Sequence, residues 1–132
     1  MTQSPPGRAT VLLVEGRTVA DVLVADTYLR RLRGMLGRRS LPDALLLVPG
    51  GAVHGVGMTR SLDVAMLAPA GGDLTADDQP PGTHVVLRTA LLRPFGLALA
   101  PRGVRSVLEA PAGAFARWGL RAGTTVRLLP PD

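Results

Sequence analysis

Short apolar runs, separated by glycine, proline and acidic residues, dominate the hydrophobic pattern of this chain. Two β-branched runs flank Glu15-Gly16-Arg17 and predict a β-hairpin. A second hairpin is predicted where the turn at residues 69–73 reverses the chain before a weak strand around Leu74. About seven to nine short strands, spaced by roughly 8 to 12 residues, are expected in all. The runs that predict them are 10–14, 18–25, 44–49, 54–58, 62–69, 83–92, 96–100, 104–110 and 124–129.

Two segments have a helical pattern instead. After the capping residue Asp26, residues 28–39 repeat apolar side chains at helical spacing and place arginines off that face. Pro111 is placed to open a short helix over residues 112–118, and Gly119 to close it. The fold class predicted is therefore mainly β: a compact β-sandwich or partly open barrel with one amphipathic helix and one short C-terminal helix.

The length of 132 residues predicts one domain with a single core. Residues 1–9 are polar and proline-rich, so we expect a disordered N-terminal tail there and a single β-rich domain over residues 10–129. The opening residues lack the apolar core of a signal peptide, and no run is long enough for a transmembrane segment. These features predict a soluble, cytoplasmic protein.

The formal charge of +5 is only weak evidence for a polyanionic partner. All fifteen basic residues are arginine, and lysine, asparagine and isoleucine are absent, which is typical of a GC-rich genome. Aromatic residues make up only 3% of the chain, so the base-stacking side chains common in nucleic-acid binding are scarce. Nucleic acid is therefore disfavoured as a partner, and an unidentified protein or a small polar ligand is favoured.

The segment HGVGMTRSLDV, residues 54–64, holds the main candidate binding residues. If it is extended, His54 and Met58 share one face, while Gly55 and Gly57 leave the other face without side chains. Either a ligand approaches that bare backbone, with His54 and Met58 as contacts, or another segment of the chain packs there. Packing by another segment is the favoured interpretation.

Asp63 follows in an apolar strand and needs a partner, because an unpaired buried carboxylate is costly. The predicted structural partners are the turn at residues 59–61 or an arginine, with Arg60, Arg88 and Arg93 as candidates. The functional alternative is a general base in a pocket. The structural role is favoured, since no second carboxylate or well-spaced base accompanies Asp63.

Other polar residues give weaker signals. A cluster including Arg30, Arg31 and Arg33 is a candidate anion-binding site or a solvated helix face. His84 follows a proline turn and is expected to be solvated, and Glu109 is expected to interact with the N-terminus of the short helix. The chain has no cysteine and two histidines without carboxylate spacing, so we predict no metal and no cofactor.

Four segments together resemble one family: ADTYLRRLRGML, HGVGMTRSLDVAML, LLRPF and VLEAPAGAFARWGLRAG. In this order they are similar to the actinobacterial-type form of the conserved uncharacterised family called domain of unknown function 192, over about residues 10–128. The resemblance implies a compact, mainly β fold, no established activity, and relatives that are often exported or encoded beside pilus and secretion genes. Its central motif usually has aromatic, aromatic and proline where this chain has Val56, Arg60 and Ser61.

Three functions are compatible with these observations. The first is a non-enzymatic binding or accessory protein, with a link to secretion or pilus machinery implied by the resemblance. The second is a small enzyme acting on a polar or glycan-like substrate through Asp63 and His54, which must then converge within hydrogen-bond reach. The third is an arginine-mediated binder of phosphate-rich partners, which requires steep salt dependence.

Overall fold

The computed structural model of the chain describes residues 7–25, 43–48, 53–54, 60–69 and 82–129. The predicted amphipathic helix and the candidate residues Arg30, Arg31, Arg33, Gly55, Gly57 and Met58 lie outside the described residues. The described elements are β1 (Gly7–Val14), β2 (Arg17–Ala25), β3 (Ala44–Leu47), β4 (Val53–His54), β5 (Leu62–Pro69), β6 (Gly82–Leu92), β7 (Leu97–Ala98), β8 (Ser106–Pro111), α1 (Ala114–Trp118) and β9 (Thr125–Leu129).

Seven of these strands form a closed barrel in the order β1-β2-β3-β8-β5-β6-β9, and β9 pairs with β1 to close it. The mainly β fold and the barrel are thus confirmed. Closure is complete because β9 bonds to β1 on one side and to β6 on the other, both antiparallel. The remaining two strands, β4 and β7, form a separate antiparallel ribbon, named the β4–β7 ribbon below.

The first predicted hairpin is confirmed. Strands β1 and β2 pair antiparallel around Glu15 and Gly16, which have φ angles of 51° and 83°. Two successive positive φ angles match the right-handed twist of the flanking strands, which is why this tight turn suits a hairpin. Strands β5 and β6 also pair antiparallel, while the strand predicted around Leu74 for the second hairpin lies outside the described residues. In contrast, β2 and β3 pair parallel, an arrangement that the sequence pattern does not reveal.

Alternation along the strands divides the buried apolar side chains into two clusters on opposite faces of the sheet. The inner core draws on all seven barrel strands and on α1, so it fills the barrel interior. The outer core covers the outside of the adjacent strands β3, β8, β5 and β6, and Ala98 of the β4–β7 ribbon belongs to it. Strands β3 and β8 are consequently buried on both faces, which explains their unbroken apolar runs.

The short C-terminal helix, α1, is confirmed, with a difference at its start. Pro111 is the last residue of β8, and Gly113 is the residue that precedes the helix, with a φ angle of 97°. Gly119 ends the helix in a left-handed conformation, as predicted. Phe115 and Trp118 join the inner core, with ring centroids 5.9 Å apart. Within the described residues, no helix has both the length and the apolar character needed to cross a bilayer.

Candidate functional site

The Asp63 carboxylate is bound by the N-terminus of α1. Its Oδ2 accepts hydrogen bonds from the backbone N–H groups of Gly113 and Phe115, each at 3.0 Å. The first N–H groups of a helix have no partner inside the helix, and a glycine before the helix has no side chain to supply one. Asp63 therefore supplies the capping acceptor from fifty residues away, and its negative charge lies at the favourable end of the helix dipole.

The partners of Asp63 differ from those predicted. Neither the turn at residues 59–61 nor an arginine accounts for the two described hydrogen bonds; the backbone of α1 does. The local sequence could not show this, because residue 63 meets residues 113 and 115 only through the pairing of β5 with β8. The available signal was indirect: a helix preceded by a residue without a side-chain cap, and an aspartate in need of a partner.

The structure does not bring Asp63 together with the ribbon that carries His54. Leu62 and Val64, the neighbours of Asp63 in β5, belong to the outer core, so the Asp63 side chain lies on the opposite, inner face. The backbone of His54 pairs with Leu97 in the β4–β7 ribbon, whose Ala98 packs on the outer core. The carboxylate and this ribbon thus lie on different faces of the sheet.

Glu109 occupies a position that the sequence interpretation missed. It lies in β8, directly between Leu45 of β3 and Val64 of β5, and its side chain is fully buried. Val107, two residues earlier, belongs to the outer core, so Glu109 lies on the outer face, away from α1. The expected interaction of Glu109 with the N-terminus of the short helix is therefore wrong, and Asp63 has that role. Glu109 itself takes part in a polar interaction.

His84 is also placed differently from the expectation. It lies in β6 rather than in a loop and is only 3% exposed, so the prediction of a solvated histidine is wrong. Its Nδ1 lies 3.1 Å from the Gly82 carbonyl oxygen, which can only accept, so Nδ1 is the donor. Burial lowers the pKa of His84, because it disfavours the charged imidazolium, and the hydrogen bond to Gly82 partly opposes that effect.

The β4–β7 ribbon presents large apolar side chains to solvent. Leu97 is 65% exposed and Leu99 is 60% exposed, while Ala98 between them is buried in the outer core. Phe95, in the turn before β7, is 76% exposed. We name Phe95, Leu97 and Leu99 the apolar ridge. The sequence showed this segment only as an apolar run, and an apolar run alone does not reveal which side chains lack a covering neighbour.

Metal ligation is not supported by the part of the chain that the structure describes. Within it, no group of three or more His, Asp or Glu side chains is placed to hold a metal ion. Among the described residues, the large apolar side chains with the greatest exposure are those of the apolar ridge.

Comparison with known proteins gives a family and a fold. The family model for domain of unknown function 192, described as an uncharacterized ACR, matches residues 10–128. No curated protein matches the chain.

Two crystal structures have a similar fold. One is a protein from Sinorhizobium meliloti 1021, provisionally named a transcription regulator, with 19% identity, a TM-score of 0.68, and coverage of 97% of this chain and 98% of that chain. The other is a protein of unknown function from Novosphingobium aromaticivorans DSM 12444, with 18% identity, a TM-score of 0.61, and coverage of 90% of this chain and 83% of that chain. At these identities the likeness concerns the fold alone. The match over nearly the whole barrel shows that this chain belongs to the uncharacterised family named domain of unknown function 192.

Proposed function

We propose that this protein is a non-enzymatic binding or accessory protein, and that it contacts its partner through the β4–β7 ribbon. The observation that carries the proposal is the apolar ridge: three large apolar side chains are exposed within five residues, each more than half accessible. Exposed apolar side chains that cluster, rather than occur singly, are typical of interaction sites.

The role of Asp63 supports the same proposal. Its Oδ2 already accepts two backbone hydrogen bonds and so contributes to the stability of α1. A general base needs its lone pairs directed at a substrate proton, and it needs a partner group within reach. The placement of Asp63 and of the β4–β7 ribbon on opposite faces of the sheet does not favour an enzyme acting through Asp63 and His54.

The cellular location of this binding protein and the class of its partner are also proposals. One form of it is a cytoplasmic protein that assists a protein partner, and the link to secretion or pilus machinery that the family resemblance implies would suit such an accessory role. The protein from Sinorhizobium meliloti carries the provisional name of a transcription regulator. An arginine-mediated contact with a phosphate-rich partner is the second candidate, and the exposed Arg88, whose guanidinium donates to the carbonyl oxygen of Leu99 in the ridge, favours it over the enzyme.

Site-specific photocrosslinking in cells of the natural host tests the proposal. Benzoylphenylalanine replaces Leu97 on the ridge or, as the matched control, the exposed Arg127 of β9 on the barrel. We expect a discrete adduct after irradiation at position 97 and none at position 127. Equal labelling at the two positions, or no adduct at position 97, would contradict the proposal, and mass spectrometry of the adduct distinguishes protein, nucleic acid and lipid partners.

A further inference from the structure

The turn that carries Phe95 holds this side chain outward. The N–H of Gly96 donates to the Arg93 carbonyl oxygen at 2.7 Å, and Phe95 has a φ angle of 64°. With Pro94 at the second position, this is the arrangement of a type II turn, whose third position normally holds glycine. A bulky aromatic residue there is strained, and such strain is concentrated at functional sites.

Because this turn is tight, the phenyl ring of Phe95 has little freedom to turn away from solvent. A Cβ atom added at Gly96 would lie 2.9 Å from the Arg93 carbonyl oxygen, so only glycine fits at position 96. Downstream of the turn, the burial of Ala98 directs Leu97 and Leu99 to the opposite, solvent side of β7. The backbone itself therefore presents the apolar ridge.

The segment of the chain that carries the ridge has charges of one sign. Residues 82–108 include four arginines and no acidic residue. All four, Arg88, Arg93, Arg102 and Arg105, are exposed. The Arg88 guanidinium donates to the Leu99 carbonyl oxygen at 3.5 Å, which places one of these cations directly beside the ridge.

This combination fits an anionic membrane surface. Leucine and phenylalanine side chains gain by entering the boundary between headgroups and acyl chains, and arginines beside them pair with lipid phosphates. A second copy of the chain would bring the same four arginines face to face, which is unfavourable. Nucleic acid offers little apolar surface to three aliphatic or phenyl side chains, since its binding sites rely on stacking and polar contacts.

We propose that the apolar ridge and its flanking arginines form a docking surface for anionic phospholipid membranes. This inference rests on the proposed binding function of the ribbon and names its partner. The protein would lie on the membrane surface, with the ridge inserted at headgroup depth and the barrel outside.

Cosedimentation with lipid vesicles tests the inference on the full chain. The probes are vesicles of phosphatidylcholine alone and vesicles with one third phosphatidylglycerol, at about 0.1 M and about 0.5 M salt. We expect binding to the anionic vesicles at the lower salt, a severalfold loss at the higher salt, and little binding to phosphatidylcholine alone. Equal binding to both lipids, or none to the anionic vesicles, overturns the inference.

Variants separate docking from folding. Phe95→Asn places a residue that tolerates positive φ at the strained position, so we expect equal or higher thermal stability together with at least roughly tenfold weaker vesicle binding. Leu97→Ser with Leu99→Ser should weaken binding similarly. The matched control is Leu91→Ser, because Leu91 is also exposed but lies on the other face of β6 from Ala90 and Leu92, which pack on the outer core. Ridge variants that bind like the wild type would contradict the proposal.

The failure of this inference can be distinguished from the failure of the proposed function. A protein or nucleic-acid adduct at position 97 without vesicle binding would overturn membrane docking and leave the binding function in place. The absence of both an adduct and vesicle binding would overturn both.

Discussion

At the scale of single residues, three acidic or basic side chains have roles that follow from their surroundings rather than from their neighbours in sequence. Asp63 caps a helix from another part of the chain, Glu109 is fully buried on the outer face of β8, and His84 is buried at the start of β6. The need of Asp63 for a partner could be inferred from its apolar neighbours. The partner itself could not be inferred, because it depends on the register between β5 and β8.

The capping role of Asp63 predicts the effect of its removal. Asp63→Ala leaves two backbone N–H groups without their acceptor, so we expect the free energy of unfolding to fall by about 2 kcal/mol. For a chain of this size that corresponds to a decrease in Tm of roughly 5 to 10 °C. Calorimetry or urea unfolding measures the change. Asp63→Asn, which keeps an acceptor oxygen, is the matched control and should lose clearly less stability; equal losses would contradict the capping role.

The buried histidine predicts a pH dependence of stability. Because burial lowers the pKa of His84 in the folded state, the unfolded chain binds a proton more readily. The stability contribution of neutral His84 is complete above the ordinary histidine pKa of about 6.5 and is lost as the pH falls from there through the folded pKa. Urea unfolding between about pH 5 and about pH 7.5 should therefore show stability that rises with pH.

Two histidine variants isolate the contribution of His84 to the pH dependence of stability. His84→Gln should flatten the slope of stability against pH just below about pH 6.5, whatever its absolute stability. His54→Gln changes the other histidine of the chain and serves as the control, which should retain the slope. A slope that persists in His84→Gln would assign it to other groups.

At the scale of elements, most strands could be predicted, since apolar periodicity reports which faces are buried. The apolar run 44–49 predicts a buried strand, and β3, which covers residues 44–47, is buried at all four of its positions. The run 96–100 shrinks to the two residues of β7: Ala98 belongs to the outer core and Ala100 packs against it, whereas Leu97 and Leu99 are exposed. Periodicity does not reveal parallel pairing, so the contact between β2 and β3 could not be anticipated.

The backbone conformation at the start of α1 predicts how two glycine-to-alanine variants differ in stability. Gly113 has a φ angle of 97°, which an alanine adopts only with strain, although a Cβ there would have ordinary contact distance to Arg117. We expect Gly113→Ala to reduce the free energy of unfolding by about 1 kcal/mol or more. Gly82→Ala is the control, since Gly82 lacks a positive φ and no atom lies within 4 Å of an added Cβ. Equal effects in urea unfolding would argue against conformational strain.

At the scale of the whole molecule, the mainly β class follows from strand spacing and turn residues, but barrel closure does not. Closure depends on β9 reaching both β1 and β6, which are far apart in sequence. The outer core could not be predicted either. Strands β3 and β8 are buried on both faces, but in the sequence such a strand is an apolar run like any other. The apolar ridge could be recognised only after the covered side chains were known.

The closing position of β9 has a consequence for biosynthesis. Of the barrel strands, β1 emerges from the ribosome first and β9 emerges after all the others. One edge of β1 and one edge of β6 therefore have no hydrogen-bonding partner strand until β9 emerges. Such open edges can pair with other nascent chains, so the risk of aggregation is greatest before β9 has paired with both of them. Native assembly of this barrel consequently waits for β9, which follows the other six barrel strands in the chain.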